Sequence, residues 1–74
     1  MINRRRNQAR ELLMLAGFDD TMARRVRSGQ QGQQVLSLAA TATGERDPQQ
    51  IGARLLESPE LREAVRSLMS DADR

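Results

Sequence analysis

Glycine and proline cut this 74-residue chain into segments so short that a bundle of short helices is the architecture open to it. Gly17, Gly29 and Gly44 close apolar stripes, while Pro48 and Pro59 each follow a helix-capping residue, Asp47 and Ser58. Glycine reaches the left-handed backbone that commonly follows a helix end. Proline lacks the N–H that the first helical turn leaves unbonded anyway. No strand-like alternation lies between these marks, and β-branched residues are few. The spacing predicts an all-α fold: a small single-domain bundle of four to five short helices, the last two forming a tight hairpin. Within 1–74, an Arg-rich three-helix part covers 1–44, a two-helix unit covers 47–70, and 71–74 is expected to fray.

The first helix starts at a capping Asn3 and carries one stripe, Ala9, Leu12, Leu13 and Ala16. Its start, Arg4 to Gln8, is polar all round and is expected to project. Its end, Leu12 to Ala16, is apolar all round and is expected to be buried on every side. Met14 and Leu15 point off the stripe, so another helix or a second protein must cover them. Asp19 or Asp20 caps a second helix running to about Ser28, stopped by Gly29 and burying Met22, Ala23 and Val26. Phe18 plugs the junction.

Gln30 to Gln34 is polar and uncharged, and Gly32 within it weakens a helix by ~1 kcal/mol relative to Ala. The third helix therefore firms up by Val35, with Val35, Leu38, Ala39 and Ala42 inward, Leu36 beside them and Gly44 at its end. Asp47-Pro48 opens the fourth helix, with Gln50 at the capping-box position and Ile51, Leu55 and Leu56 as its face. Ser58-Pro59-Glu60 opens the fifth, whose stripe is Leu61, Ala64, Val65 and Leu68 with Met69 adjacent.

Composition limits the chemistry. All twelve cationic side chains are arginine, and the chain has no Lys, His, Cys, Trp or Tyr. The usual proton shuttle, thiolate, Schiff-base amine and soft metal ligands are thus missing. The serines lack any histidine to activate them. Asp19-Asp20 and the Glu57, Glu60, Glu63 group read as helix caps and dipole partners. Asp71-x-Asp73 lacks the glycine and distal glutamate of a calcium loop. The expectation is a protein that is not an enzyme and needs no cofactor or metal. No apolar run approaches the ~18 residues of a membrane span. Arginine in place of lysine is what a GC-rich genome produces, so the expected setting is bacterial or phage, and the absence of cysteine points to the cytoplasm.

Net charge is only +2, but it is unevenly spread. Residues 1–37 carry +4 and residues 38–74 carry −2. The strongest candidate site is the guanidinium cluster of the first two helices: Arg4, Arg5, Arg6, Arg10, Arg24, Arg25 and Arg27. Arg4 to Arg6 oppose the helix dipole, a local cost that invites a functional reading. Antiparallel packing would bring the two groups together to grip phosphates or an acidic protein surface. The charge is low for a dedicated nucleic-acid binder, and no aromatic platform for bases is present. The second candidate is an apolar interface at Met14, Leu15 and Phe18, with methionine supplying adaptable contacts.

Residues 13–38 resemble, slightly, a ubiquitin-associated domain. Ala16-Gly17-Phe18 stands where that family has a Met-Gly-Phe-type turn, and Ala23 is in register. Ala16 replaces the family's binding-surface Met, and Arg27 falls on an apolar position. Residues 47–70 resemble, in rhythm only, the Asp-Pro-rich helical segments of co-chaperone adaptors. Both likenesses imply no more than small helical interaction modules. The functional expectation is a non-enzymatic helical protein that docks on a larger protein partner and regulates or inhibits it, as an accessory, phage- or plasmid-type regulator. Alternatives are a nucleic-acid-binding regulator using the Arg cluster, and a structural subunit of a homo-oligomer such as a homodimer.

Overall fold

The first helix is the hub of the molecule. In a computed structural model, which describes residues 4–72, α1 (Arg4–Leu15) packs against α2 (Asp20–Arg24), α3 (Gly29–Thr43) and α4 (Pro48–Glu57). The last helix, α5 (Pro59–Ala72), rests on α3 and α4. No strand occurs among the described residues, so the all-α bundle is the observed fold, within a 33 × 26 × 20 Å envelope. The expected cap at Asn3 lies outside the described residues. The helix continues to Ala72 where fraying was expected from 71, and residues 73–74 are outside the described range.

The helix ends use the punctuation in the sequence. Gly17 adopts φ 91°; its N–H donates to Met14 O, and the Phe18 N–H donates to Leu13 O at 3.0 Å. These two bonds satisfy carbonyls that α1 would otherwise leave open, and they fold Phe18 back toward its last turns. Asp19 caps α2 by accepting from Met22 N–H at 2.9 Å. Asp47 caps α4 by accepting from Gln49 N–H, and Ser58 Oγ accepts from Leu61 N–H at the start of α5. Ser58 is the whole connection between α4 and α5.

The core draws on all five helices. Leu12, Leu13, Ile51, Leu55, Val26 and Val65 are its largest fully buried side chains. Several expectations need correction. Helix α2 ends at Arg24, and Ser28 with Gly29 starts α3, since Ser28 Oγ accepts from Gln31 N–H. The polar start of α1 does not project, because Gly32 of α3 packs directly on the backbone of Arg5 and Arg6. The end of α1 is not covered all round: Met14 is 51% and Leu15 43% exposed. Leu56 and Leu68, read as core, are 54% and 42% exposed.

Two glycines account for much of this. A methyl on Gly32 would lie 2.6 Å from the Arg5 carbonyl carbon and 2.7 Å from Arg6 N, rigid backbone atoms that cannot step aside. Gly32 therefore marks the closest approach of α3 to α1 and sets the rotation of α3. The buried positions run Gly32, Leu36, Ala39, Thr43, one stripe at helical spacing. Val35 and Leu38, expected on the inward face, are turned to its flank and only half-buried, and Ala42 is exposed. Gly52 plays the same part in α4, where a methyl would lie 2.7 Å from Leu15 Cβ.

Candidate interaction surfaces

The seven arginines of the candidate cluster separate into different roles. Arg10, half-buried on α1, donates from Nε to the Val26 carbonyl at 2.9 Å. That bond ties the middle of α1 to the α2–α3 connection, so Arg10 is a structural strut and not a free contact. Arg24 spends its charge on Asp20, one helical turn away, at 2.8 Å. Arg4, Arg5, Arg25 and Arg27 are exposed, and Arg6 is half-buried with Nε 3.4 Å from Asn7 Oδ1. No carboxylate among the described residues lies in ion-pair range of these five.

The crossing at Gly32 decides where the five stand. It sets Arg5 and Arg6 against the first turn of α3, and Arg25 and Arg27 sit in the connection that leads into that turn. Arg27 is anchored there, its N–H donating to Gln31 Oε1 at 2.8 Å. One arginine group thus packs by its backbone on the first turn of α3, and the other lies in the connection that leads into it.

Two further arginines have roles that the sequence reading passed over. Arg62 Nη1 donates to the Leu55 and Leu56 carbonyls, closing the C-terminus of α4 from the first turn of α5. The single-residue joint at Ser58 was the available signal, because it returns the start of α5 to the open carbonyls of α4. Arg66 lies over the Phe18 ring at 5.4 Å from its centroid, a cation–π contact that ties α5 to the α1–α2 turn. Phe18 itself is only 5% exposed, so it belongs to the core and drops out of the candidate interface. The acidic pair Asp19-Asp20 is likewise engaged, one residue capping α2 and the other in the ion pair with Arg24.

Two apolar surfaces remain. Leu15 and Leu56 stand at the outer edge of the α1–α4 seam, with Leu15 Cβ over Gly52 and a Leu56 methyl at the Gly17 turn. Met14 is next to Leu15, and the three are the most exposed large apolar side chains among the described residues. The second surface is a trough of about 730 Å³ between α3 and α5, floored by Val26, Val35, Leu38, Val65, Leu68 and Met69. Its rim is glutamine and hydroxyl side chains of α3 together with Arg25. Sequence reasoning missed this trough because it assigned Val35, Leu38 and Leu68 to the core. No helix among the described residues is long and apolar enough to cross a membrane. No family model, curated protein or solved structure matches the chain.

Proposed function

We propose that the chain is a non-enzymatic, cytoplasmic helical protein that docks on a larger protein partner and regulates or inhibits it, in the manner of a small bacterial or phage accessory factor. The observation that carries this reading is the seam of Met14, Leu15 and Leu56. A 74-residue domain has few large apolar side chains for its core, yet Leu15 and Leu56 stand open along the α1–α4 seam and Met14, next to Leu15 in sequence, is half exposed. Folding alone would favour their burial by roughly 1.5–3 kcal/mol for each side chain fully covered. A partner surface recovers that burial on binding.

The test is site-specific photo-cross-linking from position 56 in the native host, with Leu56→Asp and Met14→Asp as competitors for the captured partner. A partner held by the wild-type protein and lost by both folded variants supports the reading. A partner held equally by all three sinks it.

A second reading, nucleic-acid binding, draws on the five arginines that carry no carboxylate partner among the described residues. A binder of that kind releases counterions and loses orders of magnitude in affinity between about 50 and 200 mM salt. A duplex-DNA mobility shift at both salts decides it: no complex, or a salt-insensitive one, removes the reading. Homo-oligomerisation is tested by light scattering, and a monomer at high concentration discards it.

A further inference from the structure

We propose that the trough between α3 and α5 is a receptor for an acidic amphipathic helix of a partner protein, about three turns long, with a carboxylate of that helix meeting Arg25. This site shares no residue with the Met14–Leu15–Leu56 seam, and the proposal stands whether or not that seam binds anything.

Gly32 packs on the α1 backbone and fixes the face that α3 turns inward. With Gly32, Leu36, Ala39 and Thr43 turned inward, Val35 and Leu38 are carried to the flank. On the facing side, Val65 and Met69 of α5 are buried while Leu68, on the same stripe, is 42% exposed. The two helices thus each present apolar side chains to a gap of about 730 Å³ that neither fills. Met69 on the floor has the unbranched side chain that adapts to an incoming surface.

Shape and backbone chemistry select the occupant. The α3 wall runs from Gln31 to Thr41, which at 1.5 Å per residue is about 15 Å, or roughly three turns of a docked helix. Both walls are helices whose backbones bond internally, so no strand edge is on offer to an extended peptide. An occupant that satisfies its own N–H and C=O groups fits such a gap, and an amphipathic helix does so while turning an apolar stripe inward.

Charge selects its sign. Among the described residues Arg25 is the one charged residue that lines the trough, and no carboxylate of those residues pairs with it. The connection that holds it also carries Arg27. An acidic side chain on the flank of the docked helix complements this rim, and a basic one opposes it.

The experiment uses the full chain and three synthetic 14-residue peptides. One is an amphipathic helix with leucines at i, i+4 and i+7 and glutamates on its flank. The second replaces those glutamates with lysines, and the third scrambles the acidic sequence. NMR titration of the acidic peptide should shift Leu38, Val65 and Leu68 and leave Met14 and Leu56 unmoved. Arg25→Glu should weaken the acidic peptide by about fivefold, the scale of one exposed ion pair, and strengthen the lysine peptide. Leu68→Asp, at a position 42% exposed, should abolish binding while the helical circular-dichroism signal is retained.

Equal binding of the acidic and lysine peptides overturns the proposal, as does binding that Leu68→Asp leaves intact or that maps to Met14 and Leu56. A concentration-dependent dimer broken by Leu68→Asp assigns the trough to a second copy and also overturns it. The cross-linking readout from position 56 is a separate measurement, so the two surfaces fail or stand separately.

Discussion

Gly32 of α3 lies against the main chain of Arg5 in α1, so close that the smallest side chain would collide with the Arg5 carbonyl group. This contact sets the spacing of the two helices and the face that α3 turns to α1. It also reverses the usual arithmetic for a helical glycine. Gly32→Ala gains up to ~1 kcal/mol of helix propensity and loses roughly 1–3 kcal/mol by overpacking against backbone that cannot yield. Net destabilisation in urea unfolding is expected, and a variant more stable than wild type would show that α1 and α3 are not in close contact.

Arg10 and its neighbours Arg4 and Arg5 should behave oppositely. The Arg10 Nε–Val26 carbonyl bond is part-buried and joins residues sixteen apart in sequence. Arg10→Met keeps the aliphatic stem but leaves that carbonyl without its donor, and should cost about 1.5–3 kcal/mol. Arg4→Ala and Arg5→Ala touch exposed side chains and should fall within about 0.5 kcal/mol of wild type. Thermal melts of the three variants check this, and equal melting points would remove the strut.

Leu13 and Met14 are adjacent in sequence, the first fully buried and the second half exposed. Leu13→Ala should cost about 2–5 kcal/mol, enough to unfold a large fraction of a domain this small. Met14→Asp should retain the helical circular-dichroism signal. If Met14→Asp unfolds the protein, the open seam that supports partner docking does not exist.

Asp47 caps α4 through its carboxylate bond to the Gln49 N–H at 3.1 Å, immediately before Pro48. Asp47→Ala should lower stability by about 0.5–2 kcal/mol, and Asp47→Ser should recover most of it. Chemical denaturation of the pair provides the check. An unchanged Ala variant would mean that Pro48 alone starts the helix.

Stability should also be flat between pH 6 and 8. The chain has no His, Lys, Cys or Tyr side chain to exchange a proton there, so no side chain links folding to proton uptake in that window. Urea midpoints at the two pH values should coincide; a clear difference would reveal a titrating group that the composition does not supply.

Local chemistry was legible along the chain. The helix caps at Asp19, Asp47 and Ser58, the left-handed turns at Gly17 and Gly44, and the Ala9–Leu12–Leu13–Ala16 stripe could all be read there, because each depends on residues within one or two turns. The faces of α3, α4 and α5 could be read only in part, since periodicity says that apolar side chains share a side but not how far each helix rolls. For α3 and α4 that roll goes with Gly32 and Gly52, whose missing side chains let backbones approach, leaving Leu38 on a flank and Leu56 open to solvent. The arginines divide in the same way: their number is a property of the sequence, whereas a strut at Arg10, a cap at Arg62 and a ring contact at Arg66 arise from partners brought near by folding. What the sequence by itself determined was a set of short capped helices and a chain poor in reactive side chains. What only the tertiary structure decided was which apolar residues remain uncovered, because close packing at two glycines lies between elements distant along the chain.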